Sequence, residues 1–293
     1  ASKLNIKPRT TNNFWYHPHI VYAEAYGVAL YMDIFIPKVK SNGYGIVDIV
    51  ANGWLSDRHQ FIQHVGLGLY DVLCSQGYTV FAVSPGSIQI FNVKQMIKNV
   101  QFAIKYVINN AEKFQIINNS LGILGISAGG HLATCAMFLS FDWGSNINVE
   151  KQDIFNAIKI IALYAVPFNL LDLYTHSIIP ELTEILRRLV RKKSFYEEET
   201  SIPEEEVEKR LKEVSPCYFD LSNIKQPPHF LLFHGTKDEI VPHTQSEKFD
   251  EKLRNYGWHS ELFTRDNAPH IWIDMRKDFE VTGERFLEIL SGK

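Results

Sequence analysis

At 293 residues the chain has room for one large domain, or one domain carrying an insertion, and buries roughly three quarters of its unfolded surface without disulfide or metal staples. An apolar content of 45% against 22% charged residues is that of an ordinary globular protein. The net charge of −3, spread along the chain, argues against nucleic acid or an anionic membrane surface as partner, and no apolar stretch reaches the roughly 20 residues that span a bilayer.

In chain order, the aromatic-rich, partly alternating residues 19–36 predict an antiparallel hairpin with its turn near 24–27. "YGIVDIVANGW" (44–54) reads as a buried strand running into a turn. Phe61, Val65, Leu69 and Val72 give 58–76 the period of one helix. "YTVFAVSPG" (78–86) is the next strand, and a long amphipathic helix covers about 93–113, with Met96, Val100, Ala103, Ile104 and Val107 on one face. The elbow described below follows, and then the buried strand "IKIIALYAVPF" (158–168). Residues 169–216 break the alternation: two or three amphipathic helices follow with no strand between them, which marks an insertion. The acidic runs 197–199 and 204–206 suit a solvated helix face and an acidic first turn rather than a metal site. Alternation resumes with a strand at 229–235, a helix at 244–256, a strand at 260–264 and a closing helix at 275–290. Continuous apolar strands alternating with helices predict a mostly parallel sheet covered on both faces, with ligands beyond the carboxyl ends of its strands.

The stretch "GILGISAGGH" (122–131) carries the chemistry. An apolar strand, Ser127 and a small-residue helix, with Gly125 and Gly129 two residues to either side, form the G-x-S-x-G layout of a nucleophile elbow. A serine nucleophile needs a base, and the base a carboxylate to orient it, in the chain order Ser, Asp/Glu, His at later strand ends. "HFLLFHGTKDEIVPH" places Asp238 after one strand and "SELFTRDNAPHIW" places His270 after the last. Glu239 and Asp172 are rival acids. His131, a turn into the elbow helix, reads as a core residue, and His234 and His243 as local structure around the acid turn. The oxyanion requires backbone N–H donors: Ala128, directly after the serine, and Gly53 or Trp54 in "VANGWLSDRH" (50–59).

"GISAGGH", "HGTKDEIVPHTQSEKF" and "NAPH" resemble the α/β-hydrolase superfamily, within it the esterase/lipase-like branch that holds hormone-sensitive-lipase-type carboxylesterases and feruloyl-esterase-like proteins. The resemblance implies an α/β-hydrolase fold over nearly the whole chain, with 1–168 and 217–293 as core and 169–216 as a helical cap inserted after the sixth strand. It implies Ser127 as nucleophile, Asp238 as acid and His270 as base. The chain departs at 50–54, where many relatives carry a histidine and two or three glycines before the tryptophan and this one has Val50, Ala51, Asn52, Gly53 and Trp54.

The expected activity is hydrolysis of a small-molecule carboxylic ester with a small or medium apolar acyl or aryl group, through an acyl-enzyme and without metal or organic cofactor. Acyl transfer, amide or peptide cleavage, and a non-catalytic ligand-binding homologue are the alternatives. Cys74, Cys135 and Cys217 have neither metal-ligand nor redox-motif spacing and fit free thiols in a reducing compartment. The cytoplasm is therefore the expected location. The polar start "ASKLNIKPRTTNN" lacks a signal peptide's apolar core, although export after removal of a leader stays open. Exposed apolar edges leave room for a homodimer.

Overall fold

Each long apolar run of the sequence becomes a strand of one eight-stranded sheet. The computed structural model describes residues 13–117, 120–139, 154, 156–193 and 198–292. The strands are β1 (Phe14–Ala25), β2 (Val28–Pro37), β3 (Gly45–Ile49), β4 (Thr79–Val83), β5 (Leu121–Ile126), β6 (Ile158–Tyr164), β7 (His229–Gly235) and β8 (Ser260–Arg265). Their order is β1-β2-β4-β3-β5-β6-β7-β8. β1, β2 and β4 pair antiparallel and the rest parallel. Every residue of β3, β4 and β5 is buried, which explains their mostly apolar composition, Asp48 in β3 being the charged exception: neither face meets water.

Two apolar layers cover the sheet. On one side lie α3 (Val93–Asn109), α4 (Ala128–Phe138) and α8 (Thr244–Asn255). On the other lie α1 (Arg58–Gly66), α2 (Leu69–Ser75) and α9 (Met275–Ser291). Three further helices stand between β6 and β7: α5 (Leu170–His176), α6 (Pro180–Leu189) and α7 (Glu204–Glu213). They send Leu170, Leu173, Leu186, Leu189, Val207 and Leu211 into the first layer. Glu204, Glu205 and Glu206 occupy the first turn of α7, the end of a helix that favours acids; Glu197 lies outside the described residues. Among the described residues no helix is long and apolar enough to cross a membrane.

The expected single helix at 58–76 is two helices. The chain breaks at Leu67–Gly68, where Gly68 takes a left-handed conformation, φ +79°, that a glycine adopts without steric cost. Apolar periodicity carries across the break because both halves bury the same face, so the pattern hides it. The hairpin starts at Phe14 rather than 19; half-exposed positions and a shifted register between His17 and Ile20 blur the alternation there. The helix expected at 93–113 ends at Asn109, followed by a short 3-10 turn at Glu112–Phe114.

After β3 the chain runs to β4 on one side, and it returns for β5 on the other. This reversal opens a crevice at the carboxyl ends of β3 and β5. Ser127 and the 50–54 loop meet there.

Candidate active site

Ser127 sits between β5 and α4 with φ 51° and ψ −122°, a backbone conformation that costs energy for any residue with a side chain. The surroundings enforce it. The Ser127 N–H donates to the Tyr164 carbonyl at 2.7 Å. A Cβ on Gly125 would lie 2.4 Å from the Gly130 nitrogen, and one on Gly129 would lie 2.1 Å from the Ile49 carbonyl oxygen. Strand and helix close so tightly on the turn that only glycine fits at either position.

His270, in the loop after β8, places Nε2 3.0 Å from Ser127 Oγ. Its other ring nitrogen, Nδ1, is 2.7 Å from Asp238 Oδ2. A ring nitrogen facing a carboxylate oxygen carries the proton, so Nε2 offers its lone pair to the serine hydroxyl. The loop is fastened to the turn after β7. Thr236 N–H donates to the Arg265 carbonyl, and Lys237 N–H donates to the Ala268 carbonyl, each at 3.0 Å. Asn267 N–H donates to Thr236 Oγ1 at 2.9 Å. Gly235 permits the approach, since a Cβ there would lie 2.3 Å from the Ala268 oxygen.

Both oxygens of Asp238 are occupied. Oδ1 accepts the backbone N–H groups of Ile240 and Val241, both at 2.9 Å, while Oδ2 takes His270 and also His234 Nε2 at 2.9 Å. Burial opposes its charge. Hydrogen bonds from His234 and His270, the field of His270 and the Val241 N–H outweigh that burial and hold the carboxyl well below the usual range. The rival acids have other partners. Glu239 accepts the His270 backbone N–H at 3.3 Å, and Asp172 lies 3.2 Å from His176.

His131 is buried among Trp54, whose Nε1–H donates to its Nδ1 at 3.2 Å, and the Val214 carbonyl, 2.7 Å from its Nε2. Loss of hydration lowers its pKa to about 4, against a partial lift from the Val214 carbonyl, so it is neutral at pH 7. His234 bonds Ser246 Oγ, Asp238 and the Val241 carbonyl. In the sequence it reads as local structure; its position four residues before the acid, at the end of a buried strand, is the available signal.

A cavity of about 220 Å³ opens at Ser127, lined also by Ala51, Asn52, His64, Leu67, Ile126 and Ile271. From the 50–54 loop it is Ala51 and Asn52 that reach it, while the Trp54 ring turns into the core against His131. Both Gly53 and Trp54 have positive φ, 54° and 59°, in a tight turn where Asn52 and Leu55 exchange two 2.9 Å backbone hydrogen bonds. The Asn52 N–H is engaged by that exchange, and the Gly129 N–H separately by the Ala51 carbonyl at 3.0 Å. Among the described residues, no three His, Cys, Asp or Glu side chains group as a metal ion would require.

The reversal in strand order, the serine turn after the central strand and the His–Asp relay from the last two strand ends define an α/β-hydrolase. The chain belongs to the BD-FAE family, whose model matches residues 32–253. A probable isoprenylcysteine alpha-carbonyl methylesterase of Oryza sativa subsp. japonica is 23% identical over 269 residues, 88% of this chain and 58% of that protein. The chain spans about half the length of the curated relatives it matches. Among solved structures, a truncated carbohydrate esterase from gut microbiota superposes with TM-score 0.72 at 19% identity, covering 97% of this chain and 99% of that one. Esterase 2 of Thermogutta terrifontis superposes with TM-score 0.68 at 22% identity, covering 92% and 91%. At these identities the likeness is one of fold.

Proposed function

We propose that this protein is a serine esterase. The observation that carries the reading is the relay Asp238 Oδ2, His270, Ser127 Oγ, with steps of 2.7 and 3.0 Å. Ser127 Oγ attacks the ester carbonyl carbon as its proton passes to His270 Nε2, and Asp238 stabilises the imidazolium. The tetrahedral oxyanion is held by the Ala128 N–H and an N–H of Gly53 or Trp54. Its collapse breaks the bond to the alcohol, which leaves with the His270 proton. Water, deprotonated by His270, then releases the acid and restores Ser127.

The small, mostly apolar cavity favours a short acyl or aryl group. Helices α5, α6 and α7 serve as a cap over the core, with 1–168 and 217–293 as the catalytic domain. Cys74, Cys135 and Cys217 are unpaired, and burial pushes all three thiols up, Cys217 to about 12, which supports a cytoplasmic location. The test is turnover of p-nitrophenyl esters from acetate to decanoate by the wild type and by Ser127→Ala. Short esters should be cleaved fastest, and the variant should lose activity together with fluorophosphonate labelling. Undiminished turnover in Ser127→Ala would overturn the assignment, as would a wild type that neither turns over nor labels.

A further inference from the structure

The cavity at Ser127 has a histidine on its wall, His64, which like His270 has its own carboxylate. Asp48 is the fourth residue of β3, on the same face as Ile46 and Val50, and is 0% exposed. Its Oδ2 accepts from Tyr70 Oη–H at 2.8 Å and lies 2.8 Å from His64 Nδ1. Its Oδ1 is buried with no hydrogen-bond partner among the described residues. An acid inside an apolar layer, with one oxygen unanswered, is an expensive way to fasten a helix to a strand. Phe35, Phe61 and Tyr70 already stack in that layer and pack α1 and α2 onto the sheet without it.

His64 is 4% exposed and lines the cavity. With Nδ1 turned to a carboxylate, the proton of the neutral ring sits on Nδ1 and the lone pair on Nε2. Nε2 has no partner among the described residues. Of the other polar side chains on the wall, Asn52 Nδ2–H donates to Gln63 Oε1 at 3.0 Å, Gln63 Nε2 lies 3.3 Å from His59 Nε2, and Ser127 Oγ is taken by His270. The lining holds no lysine or arginine to favour an anion. An oriented, unpartnered acceptor held rigidly in a mostly apolar cavity selects a neutral hydrogen-bond donor.

We propose that His64, oriented by Asp48, is a substrate-binding residue whose Nε2 accepts a hydrogen bond from a hydroxyl group of the ester, so that the substrate class is esters bearing a hydroxyl within reach of the scissile carbonyl. This rests on the esterase reading of Ser127. The hydroxyl belongs to the acyl group or to the alcohol, and two matched pairs separate these. Methyl 3-hydroxybutyrate against methyl isovalerate places a hydroxyl or a methyl in the acyl part; 2-hydroxyethyl butyrate against propyl butyrate does so in the alcohol.

The readout is the ratio of kcat/KM within each pair, from which any general loss of active protein divides out. In the wild type one ratio should favour the hydroxyl ester by about tenfold or more, because the isostere leaves Nε2 buried and unanswered. His64→Phe should bring that ratio to near one, and His64→Gln, which keeps an acceptor, should retain part of it. Asp48→Asn should lower it by freeing the ring to present Nε2–H instead. Ratios near one for both wild-type pairs would overturn the proposal. So would a His64→Phe or His64→Gln enzyme slowed on all four esters with its ratio unchanged, the mark of a structural role. Failure of the wild type to hydrolyse any of the four esters would remove the esterase reading itself and this inference with it.

Discussion

Two histidine–carboxylate pairs serve the cavity at Ser127, one through the serine itself and one on the wall, and they are finished to different degrees. Asp238 has both oxygens occupied, by two histidine rings and two backbone N–H groups. Asp48 has one oxygen shared by His64 and Tyr70 and the other without a partner. A fully answered carboxylate holds one imidazole in one geometry through a reaction that moves protons, which is the demand on a general base. A partly answered one leaves its imidazole as a static element of the wall. The contrast separates a pair suited to turning substrate over from a pair suited to recognising it.

The sharpest way to break that comparison is to neutralise each acid in turn. Asp238→Asn should lower kcat by about 10⁴ through the wrong imidazole tautomer, with both matched-ester ratios unchanged. Asp48→Asn should shift a ratio and leave kcat on plain alkyl esters within about tenfold. Equal rate losses in the two variants would erase the distinction.

The loop that supplies Ala51 and Asn52 to the cavity is tied to the core through Trp54 and His131, and that tie should depend on pH. His131 has its pKa lowered from 6.5 to about 4 in the folded protein, so between these values the unfolded chain binds the extra proton. Stability is then complete above about pH 6.5 and falls on acidification, by about 2 kcal/mol at pH 5. Urea unfolding of the wild type and His131→Gln at pH 7 and pH 5 checks this; a variant that keeps the full wild-type loss would remove His131 as its source.

Next in size is His234, which touches Asp238 but not the serine. His234→Gln should lower kcat about tenfold with KM nearly unchanged, since it loosens an acid that orients the base. A change confined to KM would instead place His234 among the groups that handle substrate. The smallest effect belongs to the other wall: Gly68→Ala forces a side chain into left-handed backbone and toward Arg276, 2.4 Å from its Cβ. It should cost about 1 kcal/mol in urea unfolding, and a stabilised variant would contradict the account of the α1–α2 break.

Sequence made one pair legible and concealed the other for physical reasons. Ser127, Asp238 and His270 each follow a strand, in loops and turns where polar residues among turn formers are visible against their neighbours. Asp48 lies inside "IVDIVA", and a buried strand is recognised by its apolar majority, which masks a single acid. Its partner His64 falls on α1, in a stretch whose periodicity is set by Phe61, Val65 and Leu69 across the break. That the two meet depends on how α1 packs across β3, a contact that no spacing along the chain encodes. The helix break at Gly68 was hidden likewise, because glycine is silent in a periodicity count until the backbone angle is known. The parallel core, set by long apolar runs, was readable throughout.

The fastening between the acid turn and the base loop has a consequence for how such a protein changes over generations. Two of its hydrogen bonds join main-chain N–H and carbonyl groups, Thr236 to Arg265 and Lys237 to Ala268, which every non-proline residue supplies. Most side chains on either segment can therefore drift without separating Asp238 from His270, provided position 235 stays glycine. The acid and the base are inherited as one piece, while the wall opposite, built from side chains, is free to be rewritten for a new ester.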